Sequence, residues 1–204
     1  IPLSVVLVLD ASGSMHKNMR FLQEAAINFV RKLEDVDTAL VVQFNESIKG
    51  SAEFTGDLDR LEQFVDALQA WGGTSLNDAI HYGLNRIRDQ RGRKAVVVFS
   101  DGEDTTSQMK EEEVLDYARA VEASIYAIGI RGESGMGSRS PRGLLRKIAR
   151  ATGGDQSLSA RARFTELPHA FDDFAWPAIG PISGVYGSQR ILNGQPRRPH
   201  FGVD

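Results

Sequence analysis

Apolar residues along the first 175 positions occur either in nearly continuous runs or at spacings of three and four. Residues 3–9, 95–99 and 125–130 form such runs, rich in Val and Ile or Leu, which are typical of buried parallel strands. Between the runs, the spacing is that of one face of an amphipathic helix. The predicted inward faces comprise Met19, Leu22, Ala26, Phe29, Val30 and Leu33; Leu58, Leu61, Val65 and Leu68; Leu76, Ile80, Leu84 and Ile87; and Val114, Ala118 and Val121.

Residues 38–44 and 48–54 are predicted to form a strand pair at one edge of the sheet. Only Asn45-Glu46-Ser47 separates them, and so short a link favours antiparallel pairing. A Gly-rich loop at 132–143, a helix at 144–151, a strand near 156–158 and a helix from about residue 165 complete the pattern. Strands that alternate with helices imply a mainly parallel sheet covered on both faces. We therefore predict a doubly wound α/β domain with a six-stranded sheet over residues 1–175.

The composition changes after residue 175. Four of the seven prolines lie in the last 28 residues, and no helical period continues there. We expect residues 176–204 to form an irregular tail, as an incomplete second domain or a disordered segment.

The overall composition argues against several classes of function. With 41% hydrophobic and 25% charged residues, the chain is typical of a soluble globular protein, and no apolar stretch is long enough to span a bilayer. A net charge of -3 argues against nucleic-acid binding, which favours an excess of Lys and Arg. Because there are no cysteines, thiol catalysis, zinc–thiolate sites and disulfides are excluded.

Oxygen-bearing side chains follow two predicted strands and precede one predicted helix. Asp10, Ser12 and Ser14 come directly after the first strand, Thr74 lies in Gly72-Gly73-Thr74-Ser75 before a helix, and Asp101 follows the strand at 95–99. Ligands of open α/β sheets bind beyond the carboxyl ends of the strands, so we expect the three loops to meet. Oxygen-only side chains favour a hard cation such as Mg²⁺.

Together these residues resemble the von Willebrand factor A domain and its metal-ion-dependent adhesion site. The family pattern is D-x-S-x-S, then a Thr in a Gly-rich loop, then an Asp after the fourth strand, and all three parts occur in order. The resemblance covers about residues 1–175, and the surrounding Ser-Asp-Gly-Glu-Asp and Gly-Gly-Thr-Ser are most similar to bacterial members. It implies that Ser12 and Ser14 bind the ion through their hydroxyls and that Thr74 does so directly or through water. Asp10 and Asp101 would act largely through bridging waters, and Mn²⁺ or Ca²⁺ could replace Mg²⁺.

Each part of the pattern also has a simpler interpretation. A lone Ser such as Ser12 or Ser14 is most often a turn or N-cap residue, Thr74 could cap the following helix, and Asp101 before a Gly could form a turn. All three at one sheet edge are better explained by a metal site. Glu103 and Asp104 are interpreted as solvated acids at a helix start or on the rim of the site, and a role in supporting the ligands is the less favoured alternative.

Catalytic alternatives receive little support from the sequence. Ser12 is not in a G-x-S-x-G motif, there is no P-loop, and no G-x-G-x-x-G follows the first strand. Aspartyl-phosphate enzymes usually carry a second Asp two residues after the first, where this chain has Ser12. The isolated His16 and His81 are interpreted as surface residues.

The tail resembles the start of a lysostaphin-type (M23) zinc endopeptidase domain, through Trp-Pro-Ala-Ile-Gly-Pro-Ile-Ser-Gly-Val-Tyr-Gly and Pro-His-Phe-Gly-Val-Asp. The family's H-x-x-x-D ligands would be His200 and Asp204. The later H-x-H is absent from the chain. Catalytic zinc normally takes three protein ligands, so we expect neither zinc binding nor catalysis.

We therefore predict a non-enzymatic, Mg²⁺-dependent protein-binding module. The resemblance implies that the ion bridges to an Asp or Glu of a partner protein, and it favours an extracytoplasmic location. Two alternatives remain open: a targeting domain joined to a fragment of a cell-wall zinc endopeptidase, and a metal-free scaffold that binds partners through helix surfaces.

Overall fold

A mainly parallel sheet forms the centre of the molecule. The computed structural model describes residues 2–130, residue 147, and residues 191–192 and 195–196. Within them the main sheet has five strands in the order β3-β2-β1-β4-β5. The strands are β1 (Leu3–Asp10), β2 (Thr38–Phe44), β3 (Ile48–Gly50), β4 (Arg93–Ser100) and β5 (Ser124–Gly129).

The chain changes direction across the sheet at β1. This strand pairs in parallel with β2 on one side and with β4 on the other. The loops that follow β1 and β4 therefore run in opposite directions from the point between these two strands. Such a topological switch point is where open α/β sheets form a crevice beyond the carboxyl ends of the strands. The strand order thus places the ends of β1 and β4 next to each other.

Helices cover both faces of the sheet, as predicted. They are a 3₁₀ helix (Gly13–Asn18), α1 (Met19–Val30), α2 (Leu58–Asp66), α3 (Leu76–Ile87) and α4 (Glu111–Val121). Alternate residues of β1 belong to two separate apolar clusters, one with α1 and α2 and the other with α3 and α4. Every residue of β1 is buried, which explains its nearly continuous apolar sequence.

Helix α3 packs closely against β1 at Gly83. A Cβ added at Gly83 would lie 3.2 Å from side-chain carbons of both Val6 and Val8 on β1. Glycine at this position allows the helix to approach β1, and Leu76, Ile80, Leu84 and Ile87 are fully buried beside it. The predicted inward face of this helix is confirmed.

The fold differs from the prediction in its details. Strand β3 pairs antiparallel with β2 at the edge, but it ends at Gly50, and only an isolated bridge joins Thr55 to Ala39 farther along. Leu58 was expected to face inward but is 37% exposed, because it is the first residue of α2 and precedes the buried turn that contains Leu61. The elements predicted for residues 132–174, including the sixth strand, lie outside the described residues.

Two short strands occur in the region for which an irregular tail was expected. Strands β6 (Ile191–Leu192) and β7 (Gln195–Pro196) pair antiparallel. The sequence between them is Asn-Gly, the dipeptide most favoured in two-residue hairpin turns. The predicted zinc ligands His200 and Asp204 lie outside the described residues.

Candidate metal centre

The loop after β1 is held against the loop that precedes α3. The Trp71 N–H donates to the Ala11 carbonyl at 3.0 Å, and the Gly13 N–H donates to the Gly72 carbonyl at 3.0 Å. Gly72 has a positive φ of 73°, which L-residues rarely adopt, and this conformation helps to form the turn. These backbone bonds bring Ser12 and Ser14 next to the loop that carries Thr74.

Asp10 is buried at the end of β1 and joins the end of β4. Its Oδ2 accepts a 2.6 Å hydrogen bond from Ser100 Oγ, and its Oδ1 accepts from the Ser12 N–H at 3.0 Å. The pKa of Asp10 is raised from 3.8 to about 6, chiefly by burial; the hydrogen bonds from Ser100 and Ser12 oppose this shift, and the charge of Asp101 adds to it. An ion near this carboxylate would offset the cost of burying its charge.

The two serine hydroxyls lie side by side. Ser12 Oγ and Ser14 Oγ are 3.0 Å apart, with Ser12 fully buried and Ser14 exposed. Two ligands at right angles around Mg²⁺, each about 2.1 Å from it, are also about 3.0 Å apart. The pair therefore fits adjacent positions of an octahedral ion, and the exposed Ser14 marks the side open to solvent.

Thr74 and Asp101 reach the same edge through their own loops. Thr74 is 4% exposed, and its carbonyl accepts from the N–H groups of Thr105 and Thr106, at 2.8 and 3.1 Å. Asp101 is half-buried, and its Oδ1 accepts from the Glu103 N–H at 3.1 Å. The structure thus brings the loops of all five predicted ligands to one edge of the sheet. Ser12 and Ser14 are joined directly through their side chains, whereas the loops of the other ligands are joined through backbone groups or other residues.

Asp104 is exposed, and its carboxylate also accepts two backbone hydrogen bonds. Its Oδ2 accepts from the Asn77 N–H at 2.9 Å and its Oδ1 from the Ser107 N–H at 3.1 Å. Asn77 lies in the first turn of α3, where helix N–H groups lack partners within the helix. Asp104 therefore caps α3 from a different loop, and Ser75, the expected type of cap residue, makes no side-chain cap bond.

Other polar groups near Thr74 were missed by the sequence interpretation. Glu46, in the β2–β3 turn, accepts from the Gly73 N–H through Oε2 at 3.3 Å. Within the described residues, the buried atoms Asn45 Nδ2 and Asn77 Oδ1 have no hydrogen-bond partner. Asn45 is tied to the same loop, because its carbonyl accepts from the Ser75 N–H at 2.8 Å. Polar atoms of this kind are usually satisfied by water in folded proteins.

The donor set determines which ions could bind here. In the part of the chain that the structure describes, no group of three or more His, Cys, Asp and Glu side chains could hold a metal. The predicted ligands at this edge are three hydroxyls and two carboxylates, an all-oxygen set that suits Mg²⁺ better than zinc. His16 is exposed, and His81 lies on α3, where its ring is 4.6 Å from that of Tyr117.

No helix in the described regions combines the length and apolar character needed to cross a membrane.

Comparisons with known proteins found relatives in sequence and neighbours in fold. The bovine (Bos taurus) inter-alpha-trypsin inhibitor heavy chain H3 is 24% identical over 58% of this chain and 15% of its own length. The matched curated relatives are much longer, since the chain spans between 15% and 26% of their lengths.

Two solved structures illustrate the likeness of fold. A von Willebrand factor type A structure from Catenulispora acidiphila has a TM-score of 0.68 and 22% identity, over 83% of this chain and 40% of that one. The PilB minor pilin from Streptococcus sanguinis has a TM-score of 0.63 and 16% identity, over 85% of this chain and 60% of that one. The family model described as "von Willebrand factor type A domain" matches residues 4–173. The chain therefore belongs to the von Willebrand factor type A domain family.

Proposed function

We propose that the chain is a non-enzymatic, divalent-cation-dependent protein-binding module. Asp10, Ser12, Ser14, Thr74 and Asp101 would hold Mg²⁺, with Mn²⁺ or Ca²⁺ as possible substitutes. The observation that carries the proposal is the 3.0 Å pair of serine hydroxyls beside the buried carboxylate of Asp10. When bound, the ion would act as a Lewis acid for an Asp or Glu carboxylate of a partner protein.

The charges of the proposed ligands favour an anionic partner. Ser12, Ser14 and Thr74 are neutral, so they leave most of the ion's positive charge available to another group. Asp10 is buried and hydrogen-bonded on both oxygens, which holds it in place while limiting its direct approach to an ion. The exposure of Ser14 supports access by a partner from solvent.

The relatives support binding at a cell surface but do not identify the partner. One neighbour in fold is named a minor pilin, which is a component of a pilus. We extend to this chain the extracytoplasmic location that such a name suggests. The proposal specifies the partner protein only as one that presents an Asp or Glu carboxylate.

The zinc endopeptidase hypothesis gains no support. The family match ends at residue 173, before the peptidase-like segment, and the two predicted zinc ligands lie outside the described residues. The domain boundary at residue 175 remains a prediction.

Thermal unfolding at increasing Mg²⁺ concentrations tests the proposal. Ligands that bind the folded state raise its stability, by about 2.7 kcal/mol at a concentration one hundred times the Kd. We expect this increase in the parent protein and its loss in Ser12→Ala and Asp101→Ala. Ser4→Ala is a matched control, because Ser4 is buried like Ser12 but lies at the end of β1 that is opposite to the proposed site.

The response of the control decides how the result is interpreted. Ser4→Ala should keep the full response to Mg²⁺. A parent protein whose unfolding temperature is the same in Mg²⁺ and in EDTA would contradict the proposal.

A further inference from the structure

The loop after β4 holds the backbone of Thr74 from both sides. The Thr74 N–H donates to Thr105 Oγ1 at 2.9 Å, and the Thr74 carbonyl accepts from the Thr105 N–H at 2.8 Å. The Thr106 N–H makes a second bond to the same carbonyl at 3.1 Å. Thr105 thus fixes Thr74 through one main-chain and one side-chain bond, and a residue fixed in this way has little freedom to shift alone.

Close packing reinforces these bonds on either side of Thr74. A Cβ added at Gly73 would lie 2.7 Å from Thr106 Cγ2, so the two loops touch there without spare room. On the other side, Ser75 Oγ and Thr106 Oγ1 form a 2.7 Å hydrogen bond.

A second set of bonds ties the same loop to the first turn of α3. Ser107 Oγ accepts from the Asp78 N–H at 3.2 Å, and the Asp78 carboxylate accepts from the N–H groups of Gln108 and Met109. These bonds provide acceptors for N–H groups of both the helix and the loop, and none of them involves Thr74. The loop therefore has two separable roles: Thr105 fixes Thr74, and Ser107 caps the helix.

We propose that Thr105 is a positioning residue that sets the place of the Thr74 hydroxyl and thereby the preference of the site for Mg²⁺ over Ca²⁺. This inference rests on the proposed function, because it assigns Thr74 to the ion. Mg²⁺ requires nearly ideal octahedral geometry at short distances, whereas Ca²⁺ accepts longer and more variable ligand arrangements. A rigidly placed Thr74 favours the smaller ion, and releasing Thr74 costs Mg²⁺ affinity more than Ca²⁺ affinity.

Calorimetric titration of the full chain with Mg²⁺ and with Ca²⁺ tests the assignment. Thr105→Val keeps the shape of the side chain and removes the hydroxyl. We expect it to weaken Mg²⁺ binding about tenfold or more, as loss of a group that orients a ligand commonly does, and to weaken Ca²⁺ binding less. Thr105→Ser restores the hydroxyl, so its Mg²⁺ affinity should return to within about threefold of the parent value.

Ser107→Ala is the matched control from the same loop. It removes a cap bond to α3, so it should lower the unfolding temperature in EDTA and leave the ratio of Mg²⁺ to Ca²⁺ affinity unchanged. An equal change in this ratio in Ser107→Ala and Thr105→Val would overturn the assignment, as would an unchanged ratio in Thr105→Val. If the parent binds neither ion, the proposed function fails and this assignment fails with it.

Amide hydrogen exchange of the parent protein in EDTA provides a test that needs no variant. The bond to Thr105 Oγ1 should protect the Thr74 N–H from exchange without any ion. Rapid exchange of the Thr74 amide in the folded parent would overturn the assignment.

Discussion

Ser100 Oγ donates a 2.6 Å hydrogen bond to Asp10 Oδ2, and both residues are fully buried where β1 and β4 end side by side. This contact joins positions 90 residues apart in the sequence. It is possible because the sheet order places β1 next to β4. The acid that opens the D-x-S-x-S motif is thus fixed by the core of the fold, while the motif's second serine faces solvent.

The raised pKa of Asp10 predicts a pH dependence of the metal-free protein. Because its pKa is about 6 in the folded state and lower in the unfolded state, the folded state binds the extra proton. The associated stability is fully present below about pH 4 and is lost as the pH rises through about 6. Asp10→Asn should remove this loss, which makes the variant more stable than the parent at pH 7 by on the order of 3 kcal/mol.

Urea unfolding in EDTA between pH 4 and pH 8 measures this difference. The stability gained by Asp10→Asn over the parent should grow from about pH 4 to about pH 6 and then level off. A difference that stays constant with pH would show that the Asp10 carboxylate is not destabilised by burial.

Asp104 should contribute to stability even though the residue is exposed. Its carboxylate caps the first turn of α3 through the Asn77 N–H, and loss of such a cap costs about 0.5–2 kcal/mol. Chemical unfolding of Asp104→Ala should show that loss. Glu103→Ala, one residue away, serves as the control and should change stability by less than about 0.5 kcal/mol. Equal effects of the two substitutions would argue that Asp104 is a simple rim acid.

Gly83→Ala should destabilise the protein despite the higher helix propensity of alanine. In an exposed helix, this change stabilises by about 1 kcal/mol. Here the added Cβ would lie 3.2 Å from both Val6 and Val8, and overpacking of this kind typically costs about 1–3 kcal/mol. Denaturant unfolding should therefore give a lower midpoint than that of the parent. A higher midpoint would mean that α3 can move away from the sheet without cost.

The ion pair between α1 and α2 should matter little. Arg31 contacts Glu62 through Nε and a second nitrogen, at 2.6 and 3.0 Å, but the Arg31 side chain is 58% exposed. Exposed pairs usually contribute about 0–1 kcal/mol, and salt screens them. Glu62→Gln should therefore leave the denaturant midpoint of unfolding close to that of the parent, with a still smaller difference at high salt. A larger effect that persists in high salt would contradict this assessment.

The sequence predicted the parts of the fold that depend on local pattern. Burial on both faces makes residues 3–9 continuously apolar, whereas burial of one side of α3 produces its helical spacing of apolar residues. Leu58 shows the limit of that approach, because it has the correct spacing but lies in the first turn of α2, outside the buried surface.

The positions of the candidate ligands could also be predicted from the sequence. The hydrogen bonds that hold their loops in place could not. Asp10, Ser12 and Ser14 stand together in the sequence and directly follow a strand. The cap from Asp104 to Asn77 joins residues 27 positions apart, and only the packing of the β4–α4 loop against α3 brings them together. The same is true of Thr105 and Thr74, since neither residue type indicates its partner.

Anomalous scattering from crystals of the full chain grown with Mn²⁺ tests the central claim most directly, because it locates the ion itself. The account predicts a peak at the carboxyl edge of the sheet, within about 2.0–2.3 Å of both Ser12 Oγ and Ser14 Oγ. In Ser12→Ala crystals the peak should weaken or vanish, whereas Ser4→Ala crystals should keep it. A crystal of the parent protein that shows no anomalous peak at the two serines in saturating Mn²⁺ would contradict the account.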